Sequence, residues 1–289
     1  MSRSMKILVL GNNAVAEHLS RIQTGVKRQS QFAGLLTTIE NTFHSGSTIE
    51  EVLSDETIAG IILTPPYSDD RHVLRVLEER KLRFVRISAL LDPERGSCVM
   101  MDEFYAARAV TDLLLSRGHR RIGIMRGPNS HLISIRRYNG YASALGGKGL
   151  QIDQSLVAQG DFSRESGRAM AGKLFAARPT AIFASNDDMA AGIIDAARTA
   201  NIDIPGTISI VGYDDNPIAS AVRPRLTSVR QPLEQMGEAA CQLLIDRIRL
   251  PSKGRETVVI PHEIVERDSV VEYMPDAAIQ AGGLTIARG

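Results

Sequence analysis

Short apolar runs alternate with longer amphipathic segments along most of the chain. Seven runs have the length of strands: residues 7–10, 34–37, 60–64, 84–87, 121–125, 181–185 and 209–213. The segments between them have helical spacing of apolar residues: 16–30, 69–81, 106–116, 135–145, 163–176 and 187–200. Strands that are apolar throughout and alternate with helices predict parallel sheets covered on both faces. The predicted fold class is therefore α/β, with too many strands for one small doubly wound sheet, which predicts two lobes.

Residues that favour helix ends support these boundaries. Ser163 precedes a helical run and can cap it through its hydroxyl. Gly118 follows another run, where a left-handed residue is needed. Pro232 can start a helix that runs to about residue 248, because the first turn needs no N–H from it.

Composition narrows the class of protein. Of 289 residues, 43% are hydrophobic and 23% charged, and the net charge is +1, which favours a globular protein with no strong attraction for nucleic acid or membrane. The cysteines, Cys98 and Cys241, are far apart, as expected in a reducing compartment. The start of the chain has no signal-peptide pattern, and no run has the length of a membrane span. We expect a cytoplasmic protein.

Signatures of catalysis are missing from the sequence. It contains no G-x-S-x-G and no H-E-x-x-H, and its six histidines have no metal-site spacing. Residues 146–149 (GGKG) resemble a phosphate loop, but they follow a helix rather than a strand, so we interpret them as a helix end and a turn. We expect no enzyme activity, no cofactor and no metal.

Polar residues follow the apolar runs directly, where parallel sheets usually bind ligands. They occupy residues 64–67, 101–103, 126–129, 185–188 and 212–215. Carboxylates, amides and arginines together suit a polyhydroxylated or heterocyclic ligand. For Asp187 and Asp188, helix capping is favoured over binding. Asp214 and Asp215 are two carboxylates at one turn, which exceeds what a cap requires, so binding and capping stay equally open.

The basic segment 117–121 (RGHRR) has two interpretations. It could face phosphate groups, but such a run is more often a solvated loop between a helix and a strand, which we favour. No basic helix with interleaved aromatic residues and no zinc-finger spacing occurs. By itself, this chain should bind DNA poorly.

Five segments carry a family resemblance, in order and with family-like spacing. They are 114–122 (LLSRGHRRI), 137–141 (RYNGY), 184–190 (ASNDDMA), 210–215 (IVGYDD) and 226–232 (LTSVRQP), the last followed by Met236 and Gly237. Together they resemble the effector-binding part of the lactose-repressor (LacI/GalR) family of transcription regulators. The resemblance implies a type I periplasmic-binding-protein-like fold, with two similar doubly wound lobes and a ligand cleft between them.

The resemblance also implies how the chain divides. The first lobe is expected at residues 5–103 with 231–250, and the second at 104–230 with 251–268. Crossings are expected near Glu103, Arg230 and Leu250. Residues 269–289 have weak patterning and are expected to form a mobile tail.

The same resemblance implies effector-binding residues. Arg137 and Asp214 match the positions that most often hold the effector. A guanidinium and a carboxylate there can form hydrogen bonds with ring hydroxyls or with the edge of a base. Asn186 and Asp187 match a loop that lines the same cleft. Four further positions match less directly: Phe162 as an aromatic platform or, alternatively, a core residue, and Tyr105, Asp102 and Gln231 as cleft residues.

Two departures from the family leave the effector open. Residues 11–19 (GNNAVAEHL) lack the Asn-Pro-aromatic-aromatic signature that often supplies a stacking ring. Aromatic residues make up only 4% of the chain and tryptophan is absent, which weakens the case for a sugar-stacking site. A sugar, a nucleoside and a small acid all stay possible as effector.

The beginning of the chain is a further departure. Family members start with a helix-turn-helix and a hinge helix that bind DNA, whereas residues 1–5 here lead almost directly into the first strand. Residues 2–5 (SRSM) resemble the end of the family's linker, so we hypothesise that the DNA-binding part has been cut away. The resemblance implies a homodimeric repressor core whose effector controls binding to a DNA operator through that missing part. The alternative is a solute-binding receptor of a transport system, which would need an export signal.

Overall fold

The computed structural model describes residues 5–12, 16–250, 252 and 254–274. The chain divides into two compact units. The first combines the residues up to Asp102 with Pro232–His262, and the second combines Glu103–Gln231 with the residues from Glu263 onward. Among the described residues, no helix has the length and apolar character needed to cross a bilayer.

The first unit alternates strands and helices, as the hydrophobic pattern predicts. Its elements are β1 (Lys6–Gly11), α1 (Ala16–Phe32), β2 (Leu36–Asn41), α2 (Thr42–Ser45), α3 (Ile49–Val52), β3 (Ile58–Leu63), α4 (Arg71–Glu79), β4 (Phe84–Ile87) and β5 (Ser97–Met100), and, later in the chain, α10 (Leu233–Arg249) and β11 (Thr257–Val259). The strands form one sheet in the order β11-β5-β4-β3-β1-β2. Each neighbouring pair is parallel, and the central strands are buried on both faces, which explains why they are apolar throughout.

The second unit repeats this plan. Its elements are α5 (Glu103–Ser116), β6 (Ile122–Arg126), α6 (Leu132–Gly147), β7 (Val157–Gln159), α7 (Arg164–Ala176), β8 (Ala181–Ala184), α8 (Asp187–Thr199), β9 (Ser209–Asp214), α9 (Pro217–Ala221), β10 (Thr227–Arg230) and β12 (Glu263–Val265). The sheet order is β12-β10-β9-β8-β6-β7. All pairs are parallel except β10 with the edge strand β12, which is antiparallel. The predicted α/β class with two parallel-sheet lobes is confirmed.

The predicted lobe boundaries need correction at all three crossings, because Glu103 and Gln231, expected in the first lobe, belong to the second unit. Residues 251–268 were expected wholly in the second lobe, but Thr257–Val259 pair in parallel with β5 of the first unit. The third boundary therefore lies at His262 and Glu263, not near Leu250. The pattern could not reveal this, because three-residue strands are too short for their periodicity to be recognised.

The beginning of the expected tail is bound to the second unit. Ser269 is wholly buried, its hydroxyl donates to the Ile210 carbonyl at 2.6 Å, and it accepts a hydrogen bond from the Thr227 amide at 2.8 Å. The prediction of a mobile tail is therefore wrong for its first residues. Residues 275–289, the linker-like residues 2–4 and residues 13–15 of the unusual 11–19 segment lie outside the described residues.

The helix ends follow the predicted signals. The Ser163 hydroxyl accepts from the Ser166 amide at 3.0 Å at the start of α7, and Gly118 after α5 has a φ of 88°. The glycine-rich segment is the end of α6 and a turn, as interpreted. Pro232 directly precedes the first residue of α10, so it caps that helix rather than starting it.

The basic segment 117–121 is not simply a solvated loop. His119 is 2% exposed, with its ring nitrogens 3.1 Å from the Thr180 hydroxyl and 3.1 Å from the Val271 carbonyl, and Arg117 pairs with Glu266 at 2.6 Å. Burial lowers the pKa of His119, which favours its neutral form. The segment therefore holds the last described residues against the second unit.

Candidate functional site

The carboxyl edge of the second sheet brings most of the predicted site residues together. Asp214 is the last residue of β9, and Gln231 directly follows β10. Ser185 and Asn186 directly follow β8, which neighbours β9 in the sheet. Because parallel strands end at the same edge, these side chains converge although the sequence separates them widely.

Arg137 on α6 is the centre of a buried polar network. Its side chain is 3% exposed, Nε donates to Oε2 of Glu103 at 2.7 Å, and Nη1 donates to the Ser185 carbonyl at 2.6 Å. The guanidinium also lies over the ring of Tyr213, 3.8 Å from its centroid. Burial lowers the pKa of Arg137, but the charges of Glu103 and Asp214 and the neighbouring tyrosine outweigh it and raise the pKa. Arg137 is therefore charged and held in one orientation.

Glu103 and Tyr213 are site residues that the sequence reasoning missed. Glu103 is the first residue of α5, is 3% exposed, and accepts a hydrogen bond from the Tyr213 hydroxyl at 2.6 Å besides that from Arg137. Burial, then the Glu103 charge, raises the pKa of Tyr213 well above its ordinary value, so the hydroxyl stays a donor. The signal that could have found Glu103 is its place at a strand-to-helix turn, beside the chosen Asp102.

Asp214 lies next to Arg137. Its Oδ1 is 3.8 Å from Nη1 of Arg137 and accepts a hydrogen bond from Nε2 of Gln231 at 2.5 Å. Burial raises the pKa of Asp214 to about 7, while Arg137 and Gln231 act in the opposite direction. Its φ of 110° is uncommon for a residue other than glycine, and such backbone strain concentrates at functional sites.

The neighbouring Asp215 has a structural role. Its carboxylate is bound by Nε of Arg230 at 2.7 Å and by Nη2 of Arg267 at 2.6 Å. Neither Asp214 nor Asp215 caps the following helix α9, which is capped by Asn216 through the Ile218 amide. The alternative of capping for this carboxylate pair is therefore wrong.

Asp187 is wholly buried beneath this edge. Its carboxylate accepts from the Ser228 hydroxyl at 2.6 Å and from the Asn216 amide at 2.9 Å. A Cβ on Gly212 would lie 2.2 Å from Oδ1 of Asp187, so the carboxylate needs glycine there. Burial, then the Asp214 charge, raises the pKa of Asp187 well above its ordinary value, which favours the protonated form.

Asn186, rather than Asp187 or Asp188, caps α8. Its Oδ1 accepts from the Met189 amide at 2.9 Å, and its Nδ2 donates to the Phe162 carbonyl at 2.8 Å. The capping interpretation of the two aspartates is therefore wrong, since the residue before them has the better geometry for N3 of the helix.

Phe162 packs partly into the core and partly at the edge. It contacts the hydrophobic cluster of the second unit, and its ring stands edge-on to His131, with centroids 5.6 Å apart. A Cβ on Gly127 would lie 2.2 Å from its Cζ, so the ring fits only against glycine. Its φ of 73° is a second case of left-handed backbone at this edge.

Unsatisfied polar atoms gather at the same edge. Among the described residues, five buried side-chain nitrogen or oxygen atoms lack a hydrogen-bond partner, and three of them belong to Arg126, Ser134 and Ser185. Arg126 ends β6, Ser185 follows β8, and the Ser134 hydroxyl would lie 2.6 Å from a Cβ on Gly127. Buried polar atoms without partners destabilise a fold unless a ligand or water satisfies them, so their gathering here points to a binding site.

Two further predicted residues are Tyr105 and Asp102. Tyr105 is on α5 and is 59% exposed, with its ring edge-on to Phe104. Asp102 is the last residue of the first unit and directly precedes Glu103. Within the described ranges, no three His, Cys, Asp or Glu side chains lie close enough to hold a metal ion.

Comparisons with known proteins identify the family of this chain. The family model of the periplasmic binding protein-like domain matches residues 111–270. The chain belongs to this family. The matched residues include Arg137, Tyr213 and Asp214, whereas Glu103 lies before the match.

Proteins similar to this chain include transcription regulators. The HTH-type transcriptional regulator CelR of Thermobifida fusca is 32% identical over 221 residues, which are 75% of this chain and 65% of that protein. The HTH-type transcriptional regulator DegA of Bacillus subtilis is 33% identical over 221 residues, 75% of this chain and 66% of that protein. The chain thus spans slightly less than two thirds of the length of these relatives. The LacI-family resemblance is confirmed.

A solved structure of a CelR–cellobiose complex has the same fold. Its TM-score is 0.83 at 26% identity, over 92% of this chain and 86% of that one. The periplasmic-binding-protein-like fold expected from the sequence motifs is therefore confirmed.

Proposed function

We propose that this chain is the effector-sensing core of a cytoplasmic LacI-type transcriptional repressor, and that the effector is a neutral sugar bound at the carboxyl edge of the second sheet. The regulator relatives support the regulatory role. The observation that carries the binding role is the adjacent pair of Arg137 and Asp214 within a buried network.

The network leaves donors and acceptors for a ligand. Arg137 uses Nε and Nη1 internally, and its Nη2 has no hydrogen bond or ion pair in the described part of the chain. The Asp214 side chain is 19% exposed. A guanidinium donor beside a carboxylate acceptor matches a pair of vicinal hydroxyls, because one accepts while the other donates.

The charges favour a neutral ligand over an acid. Glu103 and Asp214 already place two carboxyl groups against the single guanidinium of Arg137. A carboxylate or phosphate on the ligand would add negative charge where it is least stabilised. The CelR structure was solved as a complex with cellobiose, which is a neutral sugar.

In this proposal the protein is a homodimer with two conformations, and the effector binds one of them more tightly. The resulting shift in population changes binding to a DNA operator. The operator would be bound by a helix-turn-helix, which the names of the relatives imply. No enzyme activity is part of this proposal. A solute-binding receptor is the less favoured alternative, because the relatives are regulators.

The test is a thermal-shift and calorimetric screen of this chain against neutral mono- and disaccharides, nucleosides, sugar acids and sugar phosphates. We expect one class of neutral sugar to stabilise the wild type, since a ligand that binds only the folded state raises its melting temperature. Asp214→Asn and Arg137→Lys should weaken that sugar about tenfold or more, because each loses a charge-assisted or bidentate bond. The exposed neighbour Arg136→Gln serves as control and should bind like wild type.

Contrary results are easy to recognise. A sugar that binds both site variants as tightly as the control would show that the binding site lies elsewhere. Tighter binding of nucleosides or acids would contradict the neutral-sugar class. Sedimentation velocity on the same samples checks the homodimer, which a monomer at all concentrations would exclude.

A further inference from the structure

A cavity lies in the first unit, at the amino ends of its strands rather than at their carboxyl ends. It has a volume of about 340 Å³. Arg83 and Gly96, which line it, directly precede β4 and β5, and Arg255 comes just before β11. These three strands are parallel neighbours, so the cavity lies at their amino ends. Its volume is within the range of small-molecule sites.

The lining of this cavity carries excess positive charge. Five cationic side chains and one carboxylate contribute to it: Lys81, Arg83, Arg95, Arg247, Arg255 and Glu78. Glu78 is occupied by Arg95, which donates to its two oxygens at 3.0 and 2.7 Å. The other four cations form no ion pair with any carboxylate in the part of the chain that the structure describes. The charge of four side chains is thus left without a protein counter-ion.

Arg247 shows that the cationic lining of this cavity is unfavourable by itself. Its Nε is buried and has no hydrogen-bond partner among the described residues. Burial, and then repulsion from Arg83 and Arg255, lowers the pKa of Arg247. A buried donor without an acceptor and like charges in proximity both destabilise the fold. An anion in the cavity would relieve both.

Helix capping does not explain the cluster. Arginines can donate to the last carbonyls of a helix, as Arg80 does to Leu53, the residue that follows α3, at 2.9 Å. Arg247 is in the last turn of α10 but makes no such bond within the described residues. Its donors therefore remain available to a ligand.

We propose that this cavity binds the phosphate group of a small phosphorylated molecule. Guanidinium forks match phosphate oxygens in geometry and charge. Leu82 and Phe84 add an apolar wall that can contact the remainder of the molecule. A concave site of this kind suits a small ligand better than a long polyanion, which needs a stripe of charge along an open surface. The site is independent of the proposed sugar site, since all its residues belong to the first unit.

The test is isothermal titration of this chain with inorganic phosphate and with phenyl phosphate, at ionic strength held constant with sodium chloride. We expect saturable binding of both, and tighter binding of phenyl phosphate because of the apolar wall. Arg247→Met and Arg83→Gln should each weaken binding roughly tenfold or more, the value of one charge-assisted hydrogen bond. Arg75→Gln removes an exposed arginine on α4 outside the cavity, and should bind like wild type. Asp214→Asn should also bind both probes normally.

Three results would overturn the proposal. One is a wild-type titration indistinguishable from the chloride control. Another is unchanged affinity in both Arg247→Met and Arg83→Gln. The third is weaker binding of phenyl phosphate than of inorganic phosphate. Thermal unfolding without anion shows that each variant is folded, and Arg247→Met should melt no lower than wild type, because it removes a repelled charge.

Discussion

Two buried arginines, one in each unit, have the same chemistry and different surroundings. Arg86 in β4 is wholly buried, and each of its nitrogens has a partner: Nε donates to the Ser68 carbonyl at 2.6 Å, Nη1 to the Asp92 carbonyl at 2.7 Å and Nη2 to Asp69 at 2.9 Å. Arg137 is equally buried, but its internal bonds use only Nε and Nη1. Burial alone therefore does not distinguish a structural arginine from a binding one.

The number of satisfied donors makes the distinction. Arg86 is bound mainly by carbonyls of neighbouring loops, so it fixes those loops and has little left for a ligand. Arg137 is positioned by Glu103 and by the ring of Tyr213, and one donor nitrogen stays available beside Asp214. A preorganised donor of this kind binds a ligand without losing side-chain entropy.

The largest effect is expected from replacing Arg86, whose donor nitrogens all have hydrogen-bond partners. Arg86→Met should lower the free energy of unfolding by about 3–5 kcal/mol, because it leaves Asp69 and several carbonyls without their partner. Urea denaturation measures this. Arg75→Gln, on the exposed face of α4, should change stability by less than about 0.5 kcal/mol. A loss below about 1 kcal/mol for Arg86→Met would mean that its bonds contribute little.

A smaller effect is expected from removing the hydrogen bond that Tyr213 donates to Glu103, the carboxylate that positions Arg137. Tyr213→Phe removes a hydrogen bond to the charged Glu103 and should lower the free energy of unfolding by about 1.5–3 kcal/mol. The matched control is Tyr141→Phe in the same unit, whose hydroxyl donates to the neutral Ile122 carbonyl at 2.7 Å. That loss should be about 0.5–1.5 kcal/mol. Equal losses in the two variants would show that the Glu103 charge adds nothing.

The effect that is smallest for any single step of one pH unit is a pH dependence from Asp214. Because its pKa is raised to about 7, the folded state binds more protons than the unfolded state between about pH 4 and pH 7. This group's contribution to stability is present at low pH and is lost as the pH rises through that window. Asp214→Asn lacks this loss, so its stability relative to wild type should rise with pH, by at most about 1.4 kcal/mol per pH unit.

Urea denaturation at pH 5, 6, 7 and 8 measures this difference. The exposed Asp203→Asn is the control and should follow wild type across the series. A constant difference between Asp214→Asn and wild type would show that the carboxyl group is already ionised at pH 5.

Long apolar runs and strong helix signals made most of the fold predictable. The strands near Ile61, Phe84 and Ile210 lie in sheet centres, where burial on both faces requires apolar residues throughout. The second strand was predicted at 34–37 but runs from Leu36 to Asn41, because it is an edge strand with partly exposed residues. The three-residue strands β7, β11 and β12 carry no periodicity that the pattern could show.

The site was predictable only in part. Asp214, Asn186 and Gln231 could be found because they stand in motifs at strand ends, and Arg137 because it stands in a family-like motif on a helix. Glu103 could not be ranked above Asp102 beside it, since only the folded chain shows which carboxylate Arg137 reaches. The basic cavity could not be found either, because its residues come from four separate parts of the chain.

The sequence by itself determined the α/β class, the two parallel sheets and the family, because these depend on local patterns of burial, capping and short motifs. Only the tertiary structure decided the charges: which carboxyl groups are paired, which are driven toward the protonated form, and which arginines have no counter-ion. Those properties depend on burial and on distances of a few ångströms between residues far apart in the chain, and electrostatic energies change steeply with both.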